Sequence, residues 1–191
     1  MKTTMLVACA AAALALAACS DDNGSKTDSK VPDSTVQSDA PVVCTVDALL
    51  PKDNAVGDFA ADGAPQTADN LTALTALIDG GSEKYTQGGK FVCMALQKYK
   101  SATKSHGLEL WLFDQTDAAG AEAAYTNTSN PDDQDLTPTI GDASRGHENA
   151  IAGIYQADMR KGQYLARVIA DAVAGKDDAL ALLTALAGEI Q

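Results

Sequence analysis

Two stretches of the chain alternate side chains with a period of two. KFVCMALQKYK at 90–100 puts Val92, Met94 and Leu96 on one face and Cys93, Ala95 and Gln97 on the other. LELWLFD at 108–114 opposes Leu108, Leu110 and Leu112 to Glu109, Trp111 and Phe113. Both of its faces are largely apolar, which predicts a central strand, and SATKSHG between the two stretches predicts a hairpin. Helical spacing takes over elsewhere. Leu71, Leu74, Ile78, Ser82 and Tyr85 recur at that spacing over 67–87, with Thr67 or Asp69 as cap and Gly88-Gly89 as stop. TDAAGAEAAYTN from Thr116 to Asn127 predicts a small-sided helix, and a last helix opens at Lys176-Asp177-Asp178 with Leu180, Leu183, Ala187 and Ile190 as its stripe.

Between these helices, 136–140 predicts an edge strand weakened by Pro138. IAGIYQADM and QYLARVIAD flank a turn at Arg160-Lys161-Gly162. Residues 46–64 predict a short helical turn and an irregular or weak strand. The order of elements predicts an α+β fold: one domain over 42–191 with a mostly antiparallel sheet of about five strands and about three helices, mainly on one face. About 150 residues suffice for a sizeable core.

The first forty residues belong to a different regime. Lys2 precedes a run from Met5 to Ala18 that is apolar or small throughout, a positive n-region and a short h-region too short to span a bilayer as a helix. That run ends in Leu16-Ala17-Ala18-Cys19, which resembles the lipobox of bacterial lipoproteins. The resemblance implies a signal peptide over 1–18 and a Cys19 that is acylated as the first residue of the mature chain. An ordinary signal peptide with a stray cysteine is the competing reading. At about 0.8 kcal/mol per buried methylene, two or three lipid chains hold a protein to a membrane almost permanently. Ser20 after the cysteine favours, by analogy with Gram-negative sorting, the outer membrane facing the periplasm. Residues 19–41 are rich in Ser, Asp, Thr, Lys and Pro, which predicts a disordered tether spanning about 25 Å.

Composition narrows the partners. Without Lys2, 13 basic residues stand against 26 acidic ones, a formal charge of −13. Such a surface repels nucleic acid and anionic headgroups. Cys44 and Cys93 remain in a compartment that oxidises thiols, and a pair is what a disulfide needs; two buried thiols are the alternative.

A longer series also carries a resemblance: DNLTALTALIDGGSEKYTQGG, a strand ending KYK, LELWLFDQTDAAGAEAAY, then TIG and KGQYLARV. It is similar to a family of uncharacterised bacterial envelope proteins, departing from their pattern at Gly89-Lys90-Phe91. The resemblance implies the extent of the domain and an α+β fold, and it brings no activity and no catalytic residue.

Candidate chemistry is sparse. In the segment IDGGSEKYTQGG, Gly80 and Gly81 fall inside the predicted helix, at about 1 kcal/mol each relative to Ala, a cost compatible with close approach to a sheet. A phosphate loop needs its glycines between a strand and a helix start. Ser101-Ala102-Thr103-Lys104 satisfies Ser-x-x-Lys but lies in the predicted hairpin loop, without a Lys-Thr-Gly strand. His147-Glu148 lacks the second histidine of a zinc helix. Asn130, Asp132, Asp133 and Asp135 offer oxygens to calcium without EF-hand spacing, and a solvated acidic loop is the simpler reading. Asp79 and Glu83, four apart on one predicted helix face beside Tyr85, form a carboxylate pair, and Trp111 is placed to floor a ligand groove. A hydrated helix face and a core tryptophan are the competing readings. Asp79, Glu83, Tyr85 and Trp111 are thus the candidate ligand surface, with no catalytic, cofactor or metal residue assigned. The expectation is a lipid-anchored, non-catalytic binding or accessory module, the alternative an envelope hydrolase using Asp79 and Glu83.

Overall fold

A computed structural model describes residues 44–191; the expected signal peptide, the Cys19 anchor and the tether lie outside the described residues. The chain forms β1 (Phe59–Ala61), β2 (Gln66–Ala68), α1 (Leu71–Ile78), α2 (Glu83–Thr86), β3 (Cys93–Ser101) and β4 (Gly107–Asp114). It continues with α3 (Ala118–Asn127), β5 (Gln134–Asp135), β6 (Ala143–Asn149), β7 (Ile154–Lys161), β8 (Tyr164–Ala170) and α4 (Lys176–Glu189). All eight strands join one antiparallel sheet in the order β1-β3-β4-β8-β7-β6-β5, with β2 also on the edge of β3. The α+β class stands. Among the described residues the counts are corrected to eight strands and four α-helices.

Four strands, β1, β2, β5 and β6, join the four of the expected five that form. β1 and β2 are three residues each, too short for a period to show. β6, ASRGHEN, is polar enough to read as loop, yet its Ser144, Arg145 and Gly146 are buried. The strand expected at 136–140 is absent: the last backbone bond to β6 runs from the Leu136 N–H to the Ser144 carbonyl at 3.1 Å, and Pro138 beyond it has no N–H to give.

The helix expected over 67–87 is broken. Asn70, not Thr67 or Asp69, caps α1, its side chain accepting from the Ala73 N–H at 2.9 Å. Asp79 then turns left-handed (φ 50°), followed by Gly80 (φ 104°) and Gly81 (φ 68°), before α2 starts at Glu83. A Cβ at either glycine would meet nothing within 4 Å, so they serve backbone conformation, not close packing against the sheet.

Helices cover both faces, not mainly one. On one face, Leu182, Leu183 and Leu186 of α4, with Ile190 just past its end, pack into a core with Leu108, Leu110, Leu112, Ala157, Met159 and Val168. At about 1.5–3 kcal/mol per fully buried leucine, α4 is fastened along its length. On the other face, Leu74 of α1, Tyr85 of α2 and Ala124 of α3 pack with Met94, Leu96, Phe113 and Leu165. The Cys44–Cys93 bridge, Cα atoms 5.6 Å apart, ties the start of the described chain to the head of β3.

Candidate functional site: the half-open face of the sheet

Strand register lines up the second face in rows. Met94, Phe113 and Leu165 form a row under the helices, joined by Arg160. The next row runs Leu96, Trp111, Arg167, Asp158, Arg145, and a third runs Lys98, Glu109, Ile169, Gln156, His147. The first row is buried apart from Arg160. In the third, Ile169, Gln156, Glu109 and His147 are half-buried and Lys98 is exposed. The helices therefore stop at the middle row, and beyond it the sheet lies open.

The middle row is a buried ionic network. Asp158, 1% exposed, receives Arg167 through Nε at 2.7 Å and Nη2 at 2.9 Å. Its second oxygen also accepts from Arg145, through Nη2 at 3.0 Å and Nε at 3.2 Å. Arg145 Nε lies 2.8 Å from Asp133, whose other oxygen meets His147 Nδ1 at 2.8 Å. Burial alone works against the charge on Arg167, but the hydrogen bonds and attraction of Asp158 outweigh it and hold its pKa above the usual arginine value. Arg145 also closes the end of α3, donating to the Tyr125 carbonyl at 2.6 Å and the Thr128 hydroxyl at 3.0 Å, with its guanidinium 4.0 Å over the Tyr125 ring. The carboxylates of Asp158 and Asp133 thus use both oxygens on internal donors.

Trp111 stands where the network meets the open area. Its ring is half-buried, edge-on to Tyr85 and Phe113, and its indole N–H donates to Glu109. The Arg167 guanidinium lies 6.0 Å from the indole and 5.7 Å from the Tyr85 ring. Tyr85 itself is core, 3% exposed, stacked on Phe113 at 4.2 Å. Burial pushes its hydroxyl up to about 12, the charge of Arg167 partly opposing. Past Trp111 the open sheet forms a groove of about 280 Å³ with Ile169 on its floor. The ion pairs Lys98–Glu109 (3.3 Å) and Lys100–Asp62 (2.7 Å) flank it.

Of the four residues expected at a ligand surface, only Trp111 lies here with its ring accessible. Asp79 and Glu83 sit on opposite sides of the α1–α2 turn, both exposed, so the pairing on one helix face is corrected: the left-handed residue and two glycines separate them. Ser101 is knit into the β3–β4 loop, donating to Asp58 at 2.7 Å and accepting from the Thr103 and Lys104 N–H groups, while Lys104 pairs with Asp178. The acidic loop also closes on itself: Asn130 Oδ1 accepts from the Asp132 N–H at 3.1 Å, and Asp133 turns inward. Among the described residues, no group of three or more His, Cys, Asp or Glu is arranged to hold a metal ion, and no helix is long and apolar enough to cross a membrane. Sequence reasoning missed Arg145, Asp158 and Arg167. The one signal for them was a single charge in the middle of each apolar run, Asp158 in IYQADM and Arg167 in YLARVIA.

No protein-family model matches the chain, and no curated protein matches it. Among solved structures it is similar to the extracellular domain of PknH from Mycobacterium tuberculosis, at 13% identity and a TM-score of 0.47, over 75% of this chain and 93% of that one. So distant a likeness transfers no residue and no activity.

Proposed function

We propose that the chain is a lipid-anchored protein of the bacterial cell envelope, held at the outer membrane through Cys19 and facing the periplasm. Its folded part is a non-catalytic binding module of the envelope family it resembles. The observation that carries the binding reading is the half-open face: an apolar floor at Ile169, an accessible indole at Trp111, and flanking ion pairs, all held by a rigid sheet. Such a surface suits a small amphipathic molecule, its apolar part on Ile169 and Trp111 and its polar groups toward Lys98, Glu109 and Asp171. The buried arginine–carboxylate network behind it supports positioning over proton transfer, because Asp158 and Asp133 are already engaged by arginine and histidine donors.

Trp111 is the one tryptophan in the chain and its indole N–H is bonded to Glu109 on the wall of the groove, so its fluorescence reports on the surface beside the groove. Anilinonaphthalene sulfonate, a small amphipathic probe, should bind saturably and quench Trp111, and Ile169→Asp should abolish the quenching without loss of the fold. Probe binding that leaves Trp111 emission unchanged, or that survives Ile169→Asp, refutes the groove. For the anchor, Cys19→Ser should move the protein from membrane to soluble fractions; unchanged sedimentation refutes it.

A further inference from the structure

A second cavity, of about 430 Å³, lies at the other edge of the sheet, where β5, the middle of β6 and the first turn of α4 meet over Tyr155. Tyr155 is 2% exposed, yet its hydroxyl has no hydrogen-bond partner among the described residues and borders this cavity. Gly146 explains how the ring tip gets there: a Cβ at that position would overlap the hydroxyl, so the missing side chain opens the path across β6. Burial, with Glu148 and Asp177 adding to it, pushes this hydroxyl upward, so it stays neutral and its oxygen is free to accept a hydrogen bond.

The charges around the cavity are mostly negative. Asp132, Asp135 and Glu148 line it. His147, also on its wall, is bound through Nδ1 to Asp133. The positive end of α4 points this way, but Asp177 and Asp178 in its first turn oppose that dipole. These carboxylates do not converge as metal ligands. They are spread around an aromatic ring and two leucines, Leu136 and Leu180.

The chain already holds a cation there. Lys176 Nζ sits 5.3 Å from the Tyr155 ring centroid and 3.6 Å from a Glu148 oxygen. An ammonium over an aromatic face, paired with a carboxylate, is a recognised way of binding amines. We propose that this cavity binds a small aliphatic amine or polyamine, whose ammonium replaces that of Lys176 over Tyr155 and hydrogen-bonds the Tyr155 hydroxyl. Glu148 pairs with that ammonium, and the methylenes lie along Leu136 and Leu180. The site is on the opposite edge from the Trp111 groove and does not depend on it.

The test is calorimetry of spermidine with the full chain in detergent, at enough salt to screen diffuse attraction to an acidic protein. Saturable binding at one site is expected. Tyr155→Phe, which keeps the ring, should weaken it about 10-fold or more, the loss for a hydrogen bond to a charged group. Lys176→Met should tighten it several-fold by removing the internal competitor. Lys84→Met, an exposed lysine on α2 that makes the same change in net charge, should not. Absence of saturable binding overturns the proposal, as does unchanged affinity in Tyr155→Phe. A gain in Lys176→Met no larger than in Lys84→Met also overturns it, by reducing the effect to net charge. Calcium binding lost with Glu148→Gln in place of amine binding overturns it in favour of a metal.

Discussion

Asp158→Asn is the sharpest probe of what holds the sheet's second face together. In the native fold one carboxylate, 1% exposed, receives four hydrogen bonds from two guanidiniums that are themselves nearly buried. The amide keeps the shape and one acceptor, but loses the charge and turns N–H groups toward cations. Arg145 retains Asp133 and the α3 carbonyl, whereas Arg167 keeps only weaker neutral partners, among them the Thr128 carbonyl at 3.4 Å. Removing one member of a buried ion pair costs about 3–5 kcal/mol, because the other charge stays buried and uncompensated. For a domain of this size, total stability is of order 5–15 kcal/mol, so the loss is a large fraction of it. In thermal melts it corresponds to roughly 6–20 °C. Equilibrium urea unfolding should show the midpoint falling with an unchanged slope. A loss below about 1 kcal/mol would refute the reasoning, since the network would then behave as a solvated surface pair. Replacing the row together with the second carboxylate it holds, as Asp158→Leu, Arg145→Met, Arg167→Met and Asp133→Asn, should recover much of the stability, because buried ions are replaceable by apolar groups of like volume.

Reducing the Cys44–Cys93 bridge, or Cys93→Ser, should cost about 4 kcal/mol for a loop closed across 49 residues, read as a lower urea midpoint; an unchanged midpoint would show the bridge to be without weight. Gly146→Ala should destabilise by about 1–3 kcal/mol through overpacking against Tyr155, and pairing it with Tyr155→Phe should restore part of that. All five tyrosines have hydroxyls pushed upward by burial, Tyr85 and Tyr125 to about 12. Folded values above the unfolded value of about 10 mean that this contribution to stability is complete below pH ~10 and lost as the pH rises through about 12. Tyrosinate absorbance should therefore appear late and together with unfolding; smooth titration near 10 with the fold intact would contradict it.

The elements legible in the sequence are those whose burial is apolar on both sides or strictly periodic. β3, β4, β7, β8 and α4 show this, because Leu, Val and aromatic side chains repeat at the spacing of the surface they cover, whereas α3 is legible from its run of alanines behind the Asp117 cap. The helix over 67–87 misled for the converse reason. Leu71, Leu74 and Ile78 keep helical spacing up to the break, and Ser82 and Tyr85 resume it after the turn, so periodicity ran unbroken through a change of direction that only backbone angles reveal. Asp79, Gly80 and Gly81 were the warning, since two adjacent glycines inside a helix carry a cost that their observed surroundings do nothing to offset.

The candidate site was hidden by the same physics that builds it. A hydrophobic pattern finds buried strands when burial is apolar, and β6 is buried by charge. Its Arg145 reaches under α3 to Asp158 on β7, which in turn holds Arg167 on β8, so three strands are registered by one polar row in place of an apolar one. That row also fixes where the helices end, because Arg145 terminates α3 at Tyr125 and Thr128. No apolar period marks β6 in the sequence, and the boundary between covered and open sheet is illegible with it. Trp111 alone survived as a candidate, because an indole on a strand beside a carboxylate is conspicuous at any register. The open face exists because a buried ionic row, satisfied from within, stops the apolar core halfway across the sheet.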